Sequence, residues 1–258
     1  MTDNDDRQWA RGRVVAITGA TAGFGDAIAR RFHAAGARIV ASGRRPDRLA
    51  RLAGLGERIH TRVLDVRDQA AVQAWVDDLP EDFAAIDLLV NNAGLAAGLG
   101  KAHEASLDDW NVMVDTNIKG LMYVTRAVLP GMVARGRGHV VNMGSIAGSY
   151  PYPGGNVYGG TKAFVHQFSL NLRSDLLGTP IRVTCIEPGM AETEFSVVRL
   201  GDRAAAAKVY EGMQPLSADD IAQVVEAAVR LPAHVNLNTI EVMPVAQAFS
   251  PFSVYRGG

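Results

Sequence analysis

A doubly wound α/β fold, with a seven-stranded parallel sheet and helices on both faces, is what this sequence predicts, and three observations carry the prediction. Short β-branched runs alternate with longer amphipathic stretches along the chain. The strand runs are continuously apolar, as strands covered on both faces require. The first run leads straight into a glycine-rich turn and then a helical stretch. No linker, low-complexity tract or repeat interrupts the 258 residues, so 1–258 reads as one domain with a polar N-terminal extension at 1–12.

Taken in order, RVVAIT (13–18) is the first strand and TGATAGFG the turn that opens a helix over 24–35. Gly19, Gly23 and Gly25 in that turn let a backbone approach a pyrophosphate, whose charge the helix N-terminus attracts; Thr21 and Phe24 belong to the same cradle. This is the dinucleotide site of a Rossmann fold, although the spacing GxxxGxG departs from the general GxGxxG.

The second strand, 37–42, ends in ASGRR, where an acidic residue would hold a free ribose 2′-hydroxyl. Arg44 and Arg45 stand there instead. Guanidinium forks match a phosphate, so NADP is the expected cofactor. A helix over 46–55 follows, then a strand over 59–66 ending in Asp65 and Val66; the Asp65 carboxylate is placed either to bond the adenine amine or as an ordinary strand-end acid. After a helix over 68–79, the strand 86–92 ends in NNAG, putting Asn92, Ala93 and Gly94 at the carboxyl edge where a ligand lies.

One helix is read over 107–135, a strand over 138–145, a helix over 157–177, a strand over 181–188, a helix over 218–231 and a last strand over 239–244. In the 157–177 helix, Phe164, Phe168, Leu172 and Leu176 form one apolar stripe, while Tyr158, Lys162 and Ser169 lie off it. Tyr158 and Lys162 share a helical face. Gly159 and Gly160 beside them imply that cofactor or a neighbouring segment comes close.

Composition excludes several classes of function. Net charge is −1, with no basic run for nucleic acid or anionic lipid, and no apolar stretch is long enough to span a membrane. A lone cysteine, Cys185, fits a buried apolar site in a reducing compartment, so a cytoplasmic protein is expected. The histidines, His103 and His166 among them, are scattered without metal-ligand spacing, and no metal is expected.

Together these stretches resemble the short-chain dehydrogenase/reductase family. TGxxxGxG, NNAG, Asn117 in DTNIKG, Ser145, the YxxxK of Tyr158 and Lys162, and the PGxxxT of Pro188, Gly189 and Thr193 stand in the family's order over nearly the whole chain. The resemblance implies that Asn117 holds a water in a proton relay from Lys162, that Gly189 and Thr193 orient the nicotinamide, and that the chain forms a homotetramer. Stretches such as GGNVYGGTKAFVHQFSLNLRSDL look like the NADP-dependent 3-hydroxy acid dehydrogenase branch, which also oxidises serine and L-allo-threonine and reduces malonic semialdehyde. One departure is Glu192, where that branch would have a Gly before the Thr of TEF. It falls in the expected substrate loop, 190–215.

The residues imply a mechanism. Hydride transfer to a carbonyl needs a proton donor whose pKa is near the working pH. An ammonium about 4 Å from a phenol, at an effective dielectric near 20, is worth ~4 kcal/mol, or about three pKa units, so Lys162 is expected to bring Tyr158 towards neutrality. Ser145, thirteen residues upstream, is placed to polarise the substrate oxygen. A carboxylate substrate needs a cation nearby, and Arg199 is the candidate. The expected function is interconversion of short 3-hydroxy acids with their 3-oxo acids or semialdehydes. A reductase of 3-oxoacyl thioesters or other ketones, and a non-catalytic NADP sensor, are the alternatives.

Overall fold

Seven strands form one sheet in the order β3-β2-β1-β4-β5-β6-β7. They are β1 (Val14–Thr18), β2 (Arg38–Gly43), β3 (Ile59–Val63), β4 (Ile86–Asn91), β5 (Gly138–Met143), β6 (Ile181–Pro188) and β7 (Thr239–Val242). Every pairing is parallel. The computed structural model describes residues 8–249. Strand order reverses between β1 and β4, and this places a crevice outside the carboxyl ends of the strands, where doubly wound sheets take ligands.

Helices cover both faces. Val15 and Ile17 of β1 pack with Phe32 of α1 (Gly23–Ala34), Leu52 of α2 (Pro46–Ala53) and Val225 of the long C-terminal helix Ala218–Arg230. Val14 and Ala16 turn the other way, to Trp75 of α3 (Gln69–Asp77) and Val124 and Val128 further along. The central strands are buried on both sides, which is why they read as unbroken apolar runs. The two edges differ: β7 buries only alternate positions partway, and Val63 of β3 is 57% exposed.

A short helix, α4 (Glu81–Ala84), precedes β4. The single helix expected over 107–135 is three pieces: α5 (Leu107–Val114), a π-helical turn over Asp115–Gly120, and α6 (Leu121–Arg135). The apolar pattern runs through all three, so periodicity alone does not reveal the extra residue that a π turn accommodates. In α7 (Asn156–Asp175) the apolar stripe meets the core through Phe168, Leu172 and the following Leu176, and polar residues are buried beside it. Tyr158, Thr161, Lys162, Val165, Ser169 and Leu172 are buried, and Phe164 and Phe168, both partly buried, stack on each other with centroids 5.7 Å apart. Inward polar groups are tolerated because each is bonded: Thr161 donates to the Tyr158 carbonyl, Ser169 to the Val165 carbonyl and Lys162 to the Met143 carbonyl.

The polar extension expected at 1–12 is shorter than that. Trp9 packs edge-on against Phe32 at 5.3 Å and Ala10 is fully buried, whereas residues 1–7 lie outside the described residues. Of the aromatic C-terminal tail, Phe249 packs against Tyr150, and Phe252 and Tyr255 lie outside the described residues. The segment 190–215, expected to be the substrate loop, contains two helices that periodicity missed, α8 (Glu194–Leu200) and α9 (Arg203–Lys208), before α10 (Ala218–Arg230).

Candidate active site

The glycine turn is built by backbone geometry. Gly19 and Gly23 have φ of +67° and +52°, in the left-handed region that glycine occupies without strain. A β-carbon on Gly25 would lie 2.4 Å from the Gly19 carbonyl oxygen, so this third glycine lets α1 close onto the turn. Asn92 locks the turn to β4, donating from Nδ2 to the carbonyls of Thr18 and Gly19 at 3.0 and 3.1 Å. Thr18 Oγ1 accepts from the backbone N–H groups of Asn92 and Ala93.

A cavity of about 490 Å³ opens above these ends. Gly19, Thr21, Gly23 and Phe24 line one wall, with Arg44, Arg45, Asp65 and Val66 at the end beyond β2 and β3. Asn92, Ala93 and Gly94 lie at its centre, and Ser145, Tyr158, Lys162, Pro188, Gly189 and Thr193 at the far end. The fold therefore brings nearly every residue singled out in the sequence to one cleft. Two of those near the adenosine end are engaged by neighbours: Asp65 is gripped by Arg67, which holds its carboxyl below the usual range, and Arg45 is held by Thr21 and Glu194.

At the floor, Ser145 follows β5, accepts from the Ala147 N–H at 3.1 Å and faces Tyr158. Lys162 donates to the Met143 carbonyl at 2.7 Å, and its Nζ lies 5.8 Å from the centre of the Tyr158 ring. Burial pushes the Tyr158 phenol up to about 12, against an opposing pull from the Ser145 hydroxyl and a smaller one from Arg199. Burial also pushes Lys162 down to about 8. Burial thus opposes the downward shift expected from Lys162, whose ammonium is already bonded to a carbonyl.

The glycines beside Tyr158 have separate explanations. A β-carbon on Gly159 would lie 2.8 Å from the Ala147 carbonyl oxygen, so the turn carrying Ser145 is what comes close. Gly160 faces open space, and no close approach explains it.

Asn117 sits in the π turn. Its Oδ1 accepts from the Leu95 N–H at 2.9 Å, and its Nδ2 donates to the Leu95 carbonyl and to Thr161 Oγ1. Asn117 Oδ1 and Lys162 Nζ converge on Gly94, 3.2 and 3.7 Å from where its β-carbon would be. Gly189 is tied to β7 through the Val242 carbonyl, and Thr193 rests against Gly23. Glu192 is exposed, its N–H bonded to the Leu216 carbonyl.

Arg199, at the end of α8, reaches back over the floor. Its guanidinium lies 5.5 Å from the Tyr158 ring centre and 5.4 Å from that of Tyr152. Phe195 closes the same pocket, its ring 5.7 Å from Tyr158. Sequence reasoning missed three contributors, Arg48, Glu194 and Phe195; the acid and aromatic directly after Thr193 were the available signal.

The histidines are less scattered than the sequence implied. His166 of α7 meets Cys185 and Glu187 of β6, their ligand atoms within 4.8 Å of one another. Glu187 Oε1 pairs with His166 Nδ1 at 2.7 Å and also accepts from Cys185 Sγ at 3.7 Å, so the buried carboxylate is bonded within the cluster.

Fold and cleft define a doubly wound, dinucleotide-binding α/β protein with a Ser–Tyr–Lys floor. The chain belongs to the short chain dehydrogenase family, whose model matches residues 13–202. It is 58% identical over 246 residues to the NADP-dependent 3-hydroxy acid dehydrogenase YdfG of Salmonella typhi, covering 94% of this chain and 99% of that one. It is 54% identical over 248 residues to sulfoacetaldehyde reductase 2 of Chromohalobacter salexigens, covering 94% and 98%. Among solved structures, the closed form of serine dehydrogenase complexed with NADP+ superposes with a TM-score of 0.94 at 54% identity, over 95% of this chain and all of that one.

Proposed function

We propose that the protein is an NADP-dependent 3-hydroxy acid dehydrogenase, interconverting short 3-hydroxy acids of the serine, L-allo-threonine and 3-hydroxypropionate type with their 3-oxo acids or semialdehydes. The residues fit the cofactor. Gly19, Gly23 and Gly25 form a cradle that side chains would fill, and Arg44 brings a guanidinium to the adenosine end of the cavity. When bound, the nicotinamide supplies or accepts the hydride.

The chain's own groups handle the proton and the position. In reduction, the Tyr158 hydroxyl gives its proton to the substrate oxygen while the Ser145 hydroxyl donates a hydrogen bond to that oxygen; in oxidation Tyr158 takes the proton back. The protonated Lys162 stabilises the phenolate, and Asn117, beside it across Gly94, holds the water that returns the proton from solvent. The lid formed by 190–215 excludes bulk water.

The observation that carries the substrate class is Arg199 beside Tyr158. A guanidinium this close to the proton donor is placed for an anion one carbon away from the carbonyl. The substrates in the names of the two relatives, 3-hydroxy acids and sulfoacetaldehyde, share that feature, an anionic group on the carbon next to the reacting one. The test is NADPH absorbance with serine and 3-hydroxypropionate against a 3-oxoacyl thioester. Faster turnover of the thioester would favour the alternative reading.

We also infer a cytoplasmic homotetramer. Exposed Met122 and Val133 on α6 and partly exposed Phe164 on α7 are apolar side chains suited to contact with a second copy. Light scattering checks it, and a monomer in solution would exclude it.

A further inference from the structure

Two arginines, Arg44 and Arg45, line the adenosine end of the cleft with Arg48 close by, and one carboxylate divides the three. We propose that Glu194 is a positioning residue: it ties Arg45 and Arg48 into a strap joining the lid to the glycine turn across the cleft, and so leaves Arg44 as the guanidinium that meets the 2′-phosphate. The proposal rests on the NADP reading above for the role of Arg44 only.

Glu194 is the first residue of α8, directly after Thr193, which packs on Gly23. Its Oε2 accepts from Arg45 Nη1 at 2.9 Å and Arg48 Nη1 at 2.7 Å, and its Oε1 accepts from Arg48 Nη2 at 2.8 Å. Both arginines are then anchored to the glycine turn. Arg45 donates from Nε and Nη2 to Thr21 Oγ1 at 3.1 and 3.0 Å, and Arg48 Nη1 reaches the Thr21 carbonyl at 3.3 Å. Three segments far apart in sequence are thereby joined: the turn after β1, the start of α2 and the start of α8. The two guanidiniums hold the Glu194 carboxyl down to about 2, so the strap stays charged at every physiological pH.

Arg44 is different. Its side chain is exposed at the cavity and makes no hydrogen bond or salt bridge among the described residues. It is the guanidinium of the three whose donors remain open to a phosphate. Thr21, Arg45, Thr193 and Glu194 line the same cavity, so a dinucleotide held there would leave more slowly while the bridge is closed. The strap therefore governs how long either dinucleotide stays, and Arg44 governs which one is preferred.

Release rates of NADPH and NADH, followed by stopped-flow fluorescence, separate these roles. Glu194→Gln and Arg48→Ala are each expected to speed release of both dinucleotides roughly tenfold, with the NADPH-to-NADH affinity ratio unchanged. The double variant is expected to be no worse than either single one, because both break the same bridge. Glu194→Asp, which keeps the charge, is expected to recover part of the residence time. Arg44→Ala is expected to lower the affinity ratio at least tenfold and leave NADH release alone.

Selective tightening of NADPH by Glu194→Gln would overturn the proposal, since the carboxylate would then be competing with the phosphate for Arg45 and Arg48. Unchanged release rates in that variant would overturn it too. A wild-type protein that binds NADH as well as NADPH would instead refute the NADP reading, and the release rates would still decide the strap.

Discussion

Arg199 holds its guanidinium 5.5 Å from the ring of Tyr158, although the two residues come from different helices. On the reading proposed above, the guanidinium would meet the substrate's carboxylate beside the phenol. Arg199→Ala is expected to raise KM for serine or 3-hydroxypropionate by one to two orders of magnitude, the loss of a charge-assisted pair. An uncharged secondary alcohol should lose little. Equal losses on both substrates would remove Arg199 from carboxylate recognition.

Tyr158→Phe deletes the proposed proton donor and keeps the ring that packs against Phe195. Turnover should fall by roughly 10²–10⁴, with NADPH affinity, measured by fluorescence, within a few-fold of the parent. Retained oxidation of small hydroxy acids would dismiss Tyr158 as the acid–base group.

The two glycines after Tyr158 should respond oppositely. Gly159→Ala pushes a methyl to 2.8 Å from the Ala147 carbonyl, so it should cost about 1–3 kcal/mol and displace Ser145. Gly160→Ala meets nothing within 4 Å on a helix and should stabilise the protein by up to about 1 kcal/mol. Thermal unfolding and kcat of the pair decide; a harmless Gly159→Ala would mean the turn can shift.

His139 makes stability depend on acid. Burial, helped by Arg182 and Arg13, lowers it from 6.5 to about 3, and its Nε2 pairs with Thr184 Oγ1. Between pH 6.5 and 3 the unfolded chain binds a proton that the folded one refuses, so stability falls as pH falls, by up to about 1.4 kcal/mol per unit. Replacing it with the non-titrating His139→Gln should flatten the urea-midpoint profile between pH 6.5 and 4.5, above the range where Glu194 begins to lose its own ion pairs. Parallel profiles for the two proteins would show that His139 titrates normally.

Much of this was legible in advance because it depends on local pattern. The strands announced themselves as apolar runs, and the Gly19–Gly23–Gly25 spacing located the turn before any geometry was known. The distance of Arg199 from Tyr158 was not legible in the sequence. What escaped were properties set by burial and by long-range pairing. The raised pKa of Tyr158 comes from desolvation, which spacing does not encode. Glu194 meets Arg48 across 146 positions of chain. The π turn at Asp115–Gly120 hides within a continuing helical stripe, and the inward polar face of α7 is possible only because Asn142 and Met143 wait there to bond Ser169 and Lys162.

That π turn trades helix regularity for the placement of Asn117. Removing one residue between Asp115 and Gly120 would let α5 and α6 run on as a regular helix with better backbone geometry, yet it would rotate Asn117 by about 100° and swing its amide away from Leu95 and Thr161. Such a deletion should give a protein that folds and does little, because here an irregular helix is what aims the side chain.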